Sequence, residues 1–238
     1  MCGRYTLAGP APGEWSESRL RTRFPGLGES VELRQRFNVA PTDEVACVTT
    51  TNEGEPRGDL LRWGLVPHWA KDPGLGAKLI NARGETVAQK PAFRDGFARR
   101  RCLIVADGFY EWERRGSGTR HPFHITRPDA EPFAFAGIWA TWHGPEERTL
   151  RTCSIITTAA NEAISGLHDR MPVILPAEAE EAWLDPATPE AVLSDLLAPL
   201  PPELTTLREV SRAVNNVRND GPECLAPPES EPAAPTLF

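Results

Sequence analysis

Hydrophobic positions along the chain gather in short runs of β-branched and aromatic residues broken by glycine, proline and charge, the mark of strands closed by turns. The runs "EVACVTT" from Glu44, "DLLRWGLV" from Asp59, "CLIVADGFYEWE" from Cys102, "PFHITR" from Pro122, "PFAFAGIWATW" from Pro132 and "LRTCSIITT" from Leu150 each predict a strand. Helical spacing is rarer. Trp15, Leu20 and Phe24 in "EWSESRLRTRF" predict an early helix stopped by Pro25 and Gly26. Shorter helices are expected around "GETVAQ", "NEAISGL", "EAEEAWL" and "PEAVLSDLL", the last three opening with a capping residue or early acids. Strands without a regular βα alternation predict an α+β fold, a single compact domain whose mostly antiparallel, barrel-like curled sheet is flanked by short helices. The Pro- and Glu-rich end, "GPECLAPPESEPAAPTLF", lacks an apolar period, which sets the expected domain at 1–220 and a disordered tail at 221–238.

Composition narrows the picture. The 238 residues, 40% hydrophobic and 25% charged, suffice for one domain with a sizeable core. No stretch approaches the ~18 apolar residues of a membrane span and no basic segment leads a long apolar run, so a cytoplasmic protein with no membrane partner is expected. Five widely spaced cysteines without a CxxC pair argue against a disulfide framework or a cysteine-rich zinc site. Cys47, Cys102 and Cys153 lie in strand runs and read as small core hydrophobes. A metal reading rests only on His121 and His124 in "HPFH", where Pro122 and the lack of nearby acidic ligands make it weak; no metal and no cofactor is expected. The formal net charge is −7, yet residues 78–127 carry eleven Lys and Arg against five Asp and Glu, a net +6 that leaves −13 for the rest. A basic middle in an acidic chain suits either a polyanion-binding face or a solvated arginine-rich surface.

The candidate chemistry starts at "MCGRYTL". Methionine is normally trimmed ahead of a small side chain, which would leave Cys2 with a thiol and a free α-amine on neighbouring carbons. Such a 1,2-aminothiol adds to an aldehyde through nitrogen and then through sulfur, closing a thiazolidine ring; an ordinary cysteine in a frayed terminus is the alternative. Further stretches mix proton-transfer groups with Gly, Pro or Trp: "RFNVAPT" at Arg36, "RWGLVPHWA" at Arg62, "INARGET" at Ile80, "ADGFYEW" at Ala106 and "LHDRMP" at Leu167. Taken singly, His168 reads equally as a hydrogen-bonded structural residue, and Glu111 as the polar side of an alternating strand.

Together with "MCGRY" and "SRAVNNV", these stretches stand in the order of the SOS-response-associated peptidase (SRAP) family, the abasic-site processing proteins, which the chain resembles up to about Ser211–Asn219. The resemblance implies an α+β fold with strands curled around a core, a basic groove for single-stranded DNA, and covalent capture of an abasic-site aldehyde by Cys2. It assigns Cys2 as nucleophile, Asn81 as a polar neighbour, and Glu111 and His168 as acid–base groups. Arg4, Arg83 and Arg170 would contact phosphates, and Trp69 would lie near the bases. Ala70 follows Trp69 where other members can carry a second aromatic, so no two-ring wedge is implied. The implied partner is single-stranded DNA containing abasic sites, met by a monomer in the cytoplasm and on the nucleoid when DNA is damaged.

The chemistry explains the residue types. An abasic deoxyribose is mostly a closed hemiacetal, and opening it needs proton transfers suited to a histidine, unperturbed near ~6.5. The α-amine, near ~7.7–8.0, attacks without the deprotonation cost of a lysine at ~10.4. Loss of water from the carbinolamine needs an acid, a task for Glu111 if its aromatic neighbours desolvate it. Two other readings stand beside this one: a cysteine-type (auto)peptidase using Cys2, and a non-covalent single-strand binding module in which Cys2 is incidental.

Overall fold

The computed structural model describes residues 2–10, 14–29, 31–115 and 119–229. Among them run thirteen strands: β1 Tyr5–Leu7, β2 Arg36–Val39, β3 Glu44–Thr50, β4 Pro56–Trp63, β5 Asn81–Arg83, β6 Arg101–Ala106, β7 Gly108–Arg115, β8 Thr119–Thr126, β9 Phe133–His143, β10 Thr149–Ala159, β11 Arg170–Pro172, β12 Ile174–Leu175 and β13 Thr206–Glu209. The helices are short: α1 Glu17–Arg23, α2 Arg94–Arg99, α3 Glu180–Leu184 and α4 Glu190–Asp195. None of the described helices is long and apolar enough to cross a membrane.

Five strands close into a barrel. β9 pairs with β6 and β10, β6 with β3, β3 with β4, and β4 runs parallel to β10, which returns to β9. Closure satisfies every strand edge in the ring without a covering element. Alternation along β6 shows the two faces: Cys102 and Ile104 point into the barrel with Cys47, Leu61, Trp63, Phe135 and Cys153, while Leu103 and Val105 point out toward Leu20, Phe97, Trp183 and Leu193 of the helices. Cys47, Cys102 and Cys153 are free thiols without solvent exposure, core hydrophobes as their strand context predicts.

The second sheet, in order β13-β8-β7-β1-β2, is antiparallel throughout. The run "CLIVADGFYEWE", which reads as one strand, divides here: β6 belongs to the barrel and β7 to the second sheet. Asp107 marks the break, its carboxylate accepting from Ala8 N and Gly9 N at 2.6 Å and from Thr6 Oγ1 at 2.6 Å. Next to it, a Cβ on Gly108 would collide with His124 Nε2 and lie 2.9 Å from Thr6 Oγ1, so only glycine lets β7 pass this close to β1 and β8.

β10 joins the two halves of the site. As it leaves the barrel it exchanges β9 for antiparallel β11 on one edge and β4 for parallel β5 on the other, with Ile155 opposite Asn81, Thr157 opposite Arg83 and Ala159 opposite Arg170.

Three expectations need correction. "NEAISGL" forms turns, not a helix: despite the Asn161 cap on Ile164 N, only isolated i→i+4 bonds form, Ser165 N to Asn161 O and His168 N to Ile164 O, before the chain enters β11 at Arg170. "GETVAQ" yields only a single 3₁₀ turn at Gly84–Thr86. The expected disordered tail does not begin at 221: Pro222–Leu225 form a 3₁₀ turn, Cys224 is fully buried with Phe37, Tyr110, Val210 and Val214, and Ser211 N donates to Ala226 O at 2.8 Å. Long-range packing, invisible to composition, orders that segment. The remainder of the expected tail, 230–238, lies outside the described residues.

Candidate active site

Cys2 precedes β1 at the seam between barrel and second sheet, in the same apolar cluster as Tyr5, Trp63 and Ile155 and without solvent exposure. Asn81 Nδ2 donates to Cys2 O at 2.8 Å, and Cys2 Sγ lies 3.7 Å from Arg4 O. Asn81 Oδ1 is buried and accepts no hydrogen bond among the described residues, an open acceptor beside the cysteine. Burial pushes the Cys2 thiol well up, and the negative charge of Glu111 pushes the same way.

Glu111 comes from β7, opposite Phe123 of β8, and is only 3% exposed. Its carboxyl is pushed up by burial, an effect that the charge of His168 opposes. Glu111 therefore links Cys2 and His168 electrostatically, although the three come from separate segments. His168 stands at the approach to β11, where its Nδ1 accepts from Arg170 N at 2.9 Å and lies 2.8 Å from Asp169 Oδ1. The Nδ1 edge of the ring thus faces both a backbone donor and a carboxylate, a placement suited to a group that moves protons.

The cations differ. Arg83, two residues from Asn81 on extended β5, is exposed, with no hydrogen-bond partner among the described residues. Arg170 is engaged: it ion-pairs with Glu85 and donates to Thr157 O at 2.6 Å. Arg4 donates from Nη1 to Asn38 Oδ1 at 2.9 Å and to Val214 O at 2.8 Å, with its guanidinium 6.0 Å from the Trp112 ring centroid. Trp69 is 52% exposed. Its loop is fastened to β10 and to the residues ahead of β5 by Val66 N to Thr152 Oγ1 at 2.9 Å and Leu65 N to Leu79 O at 3.1 Å. Ala70 is buried against Val66 and Trp142, whose Nε1 donates to Ala70 O at 2.7 Å, so position 70 adds no second aromatic beside Trp69. The "HPFH" histidines do not converge: three apart on β8 they face opposite sides, His121 toward Glu209 and His124 toward Thr6.

A family model described as SOS response associated peptidase (SRAP) matches residues 1–217. The chain belongs to the SRAP family. Its relatives include proteins that carry the name abasic site processing protein. YoqW of Bacillus subtilis (strain 168) is 41% identical over 227 residues, which span 94% of this chain and 99% of that protein. HMCES of Mus musculus is 37% identical over an alignment spanning 95% of this chain and 76% of that protein. The SRAP fold extends to a crystal structure from Bacteroides thetaiotaomicron at 24% identity, TM-score 0.82, covering 95% of this chain and 99% of that one. A second, from Bordetella bronchiseptica, is 27% identical with TM-score 0.74, covering 88% and 100%.

In this SRAP chain, the residues singled out from the sequence as Cys2, Asn81, Glu111 and His168 lie together, and Arg4, Arg83 and Arg170 occupy adjoining elements. Sequence reasoning missed Asn38, Glu85 and Asp169. Each sits inside a stretch that stood out, "RFNVAPT", "INARGET" and "LHDRMP", so the signal was there, but their partners lie far along the chain or depend on side-chain orientation.

Proposed function

We propose that this SRAP protein captures abasic sites in single-stranded DNA, acting as a monomer through a thiazolidine formed at Cys2 after Met1 is removed. The observation that carries the reading is the placement of Cys2: its carbonyl is held by Asn81, and its thiol lies within the electrostatic reach of Glu111, itself coupled to His168.

His168 moves the protons that open the hemiacetal, using Asp169 as the acceptor that steadies its charged form. The neutral α-amine of Cys2 adds to the C1′ aldehyde to give a carbinolamine. Glu111, whose protonated form burial favours, gives a proton to the departing hydroxyl, and one water leaves as the imine forms. Sγ then adds to the imine carbon, the thiol proton ending on nitrogen; nothing is oxidised or reduced. Ring closure removes the imine that would acidify C2′ and break the strand by β-elimination. Asn81 Oδ1 offers an acceptor to the carbinolamine hydroxyl or the amine N–H.

A buried thiol pushed up in this way favours the order amine first, sulfur second, because a thiolate attacking a peptide carbonyl would have to form at the same unfavourable place. Arg83, exposed beside Asn81, supports phosphate binding next to the sugar, with Arg4 and Arg170 flanking it. Trp69 supports base stacking without sequence preference.

Incubating mature protein with a single-stranded oligonucleotide bearing one abasic site tests the reading. The expected product survives denaturing electrophoresis and has the intact mass of protein plus DNA less one water. A protein that binds the oligonucleotide yet yields no such product is a non-covalent module. One that instead cleaves peptides at a Cys2-dependent rate is a peptidase.

A further inference from the structure

Residues Asn215–Arg218 form an exposed tip with no regular secondary structure beyond one 3₁₀ turn, yet their backbone is firmly held. The anchor is Asn38 of β2, only 1% exposed. Its Nδ2 donates to Asn219 O at 2.7 Å and Asn216 O at 3.1 Å, with Val214 O sharing one of these hydrogens at 3.3 Å, and its Oδ1 accepts from Arg4. Asn219 Nδ2 adds a bond to Ala213 O at 2.8 Å, and Asn216 Oδ1 one from Arg218 N at 3.1 Å. Burying an amide is costly unless its bonds are filled, and here both ends are filled in fixing one loop.

The same loop is tied to the site on both sides. Arg4, two residues beyond Cys2, donates to Val214 O, and Trp112, next to Glu111, donates from Nε1 to Asn215 Oδ1 at 2.7 Å. The tip thus stands on the rim of the candidate site. It displays Val217, 55% exposed, more than any other large hydrophobic side chain among the described residues. Beside it, the Arg218 guanidinium is exposed and has no partner among the described residues. The neighbouring acid, Asp220, is turned away: it accepts from Phe37 N at 2.7 Å and Asn38 N at 2.8 Å and ion-pairs with Arg36.

From this arrangement we infer that the Asn215–Arg218 tip is a second contact for the DNA strand, binding a nucleotide flanking the abasic one, with Arg218 on a phosphate and Val217 against a sugar or base. Asn38 is its positioning residue. A rigid apolar-plus-cationic tip grips single-stranded nucleic acid without reading sequence and without paying to order a loop on binding. The inference rests on the single-stranded DNA reading above and adds to it a surface and the residues that form it.

Fluorescence polarisation with a single-stranded abasic oligonucleotide, across a salt series, tests it alongside single-turnover adduct formation. Arg218→Ala is expected to weaken binding about fivefold and to reduce the log–log salt slope by about 0.7, the weight of one phosphate on a single strand. Val217→Ser weakens binding about twofold with no change in slope. In both, the adduct rate at saturating DNA, and with deoxyribose 5-phosphate in place of DNA, equals the parental rate, because the tip does not touch the reacting sugar. Val192→Ser, on α4 and 43% exposed, changes neither quantity. Parental affinity and slope in both tip variants overturn the inference while leaving the capture reading intact. Parental protein with no affinity for single-stranded DNA overturns both.

Discussion

Four thiols lie in one apolar cluster with no solvent exposure, three within the barrel and one at its seam with the second sheet. In the barrel, Cys47, Cys102 and Cys153 lie among apolar side chains such as Leu61, Trp63, Ile104 and Phe135, and burial pushes the Cys47 and Cys102 thiols up. At the seam, Cys2 meets the same desolvation but also Asn81, Glu111 and, through Glu111, His168. Burial alone does not separate an inert cysteine from a reactive one. The difference is a set of polar groups brought into the apolar cluster and left with unfilled capacity, as at Asn81 Oδ1.

The sharpest way to break that contrast is Cys2→Ala, expected to abolish the heat-stable adduct altogether while leaving an imine that borohydride traps; an undiminished stable adduct would show that the seam thiol is no different from the barrel thiols. Next in size is Glu111→Gln, which is expected to slow adduct formation about 10²–10⁴-fold with DNA affinity preserved. Because burial raises its carboxyl, the parental rate should fall as pH rises through that raised value, and single-turnover rates for the variant should lack this limb. Stability follows the same sign: a raised folded value means that Glu111 favours the fold when protonated, a contribution present in acid and lost as pH rises through it. The variant should therefore gain thermal stability over the parent at pH 8 and not at pH 4, read as about 2–4 °C per kcal/mol relieved.

Smaller effects belong to the cations. Arg83→Ala is expected to reduce the salt slope of DNA binding by about 0.7, and Glu85→Gln to raise affinity about two- to fivefold by freeing Arg170 and removing a negative charge from the groove. Equal affinity in the Glu85 variant would mark that pair as purely structural. The smallest effect on function is expected inside the barrel: Cys47→Ala should keep the parental adduct rate while losing about 1 kcal/mol of stability to the cavity it leaves, visible as a drop of about 2–4 °C in Tm.

The sequence was most informative where one element carries its own pattern. β3 matches "EVACVTT" residue for residue, and β9 and β10 lie within a residue or so of their apolar runs. It was least informative where a strand has two to four residues: β1, β2, β5, β11, β12 and β13 exist because of partners far away, and no periodicity fits in so short a span. The break at Asp107 hid inside an unbroken apolar run, since what ends β6 there is a carboxylate bound to backbone a hundred residues earlier. For the site, Cys2, Asn81, Glu111 and His168 were visible as motifs, but the motifs said nothing of Arg170 being committed to Glu85 or of Asn38 holding the 214–219 loop. Those are contacts between motifs.

Because β10 passes from the barrel into the site without interruption, the pairings of Asn81, Arg83 and Arg170 are continuous with the hydrogen bonds that close the barrel. The site consequently has no hinge of its own on that side: backbone amides of β5 and β11 should exchange with solvent on the slow timescale of the barrel strands, and a trapped DNA strand would be anchored to the part of the molecule that is last to open.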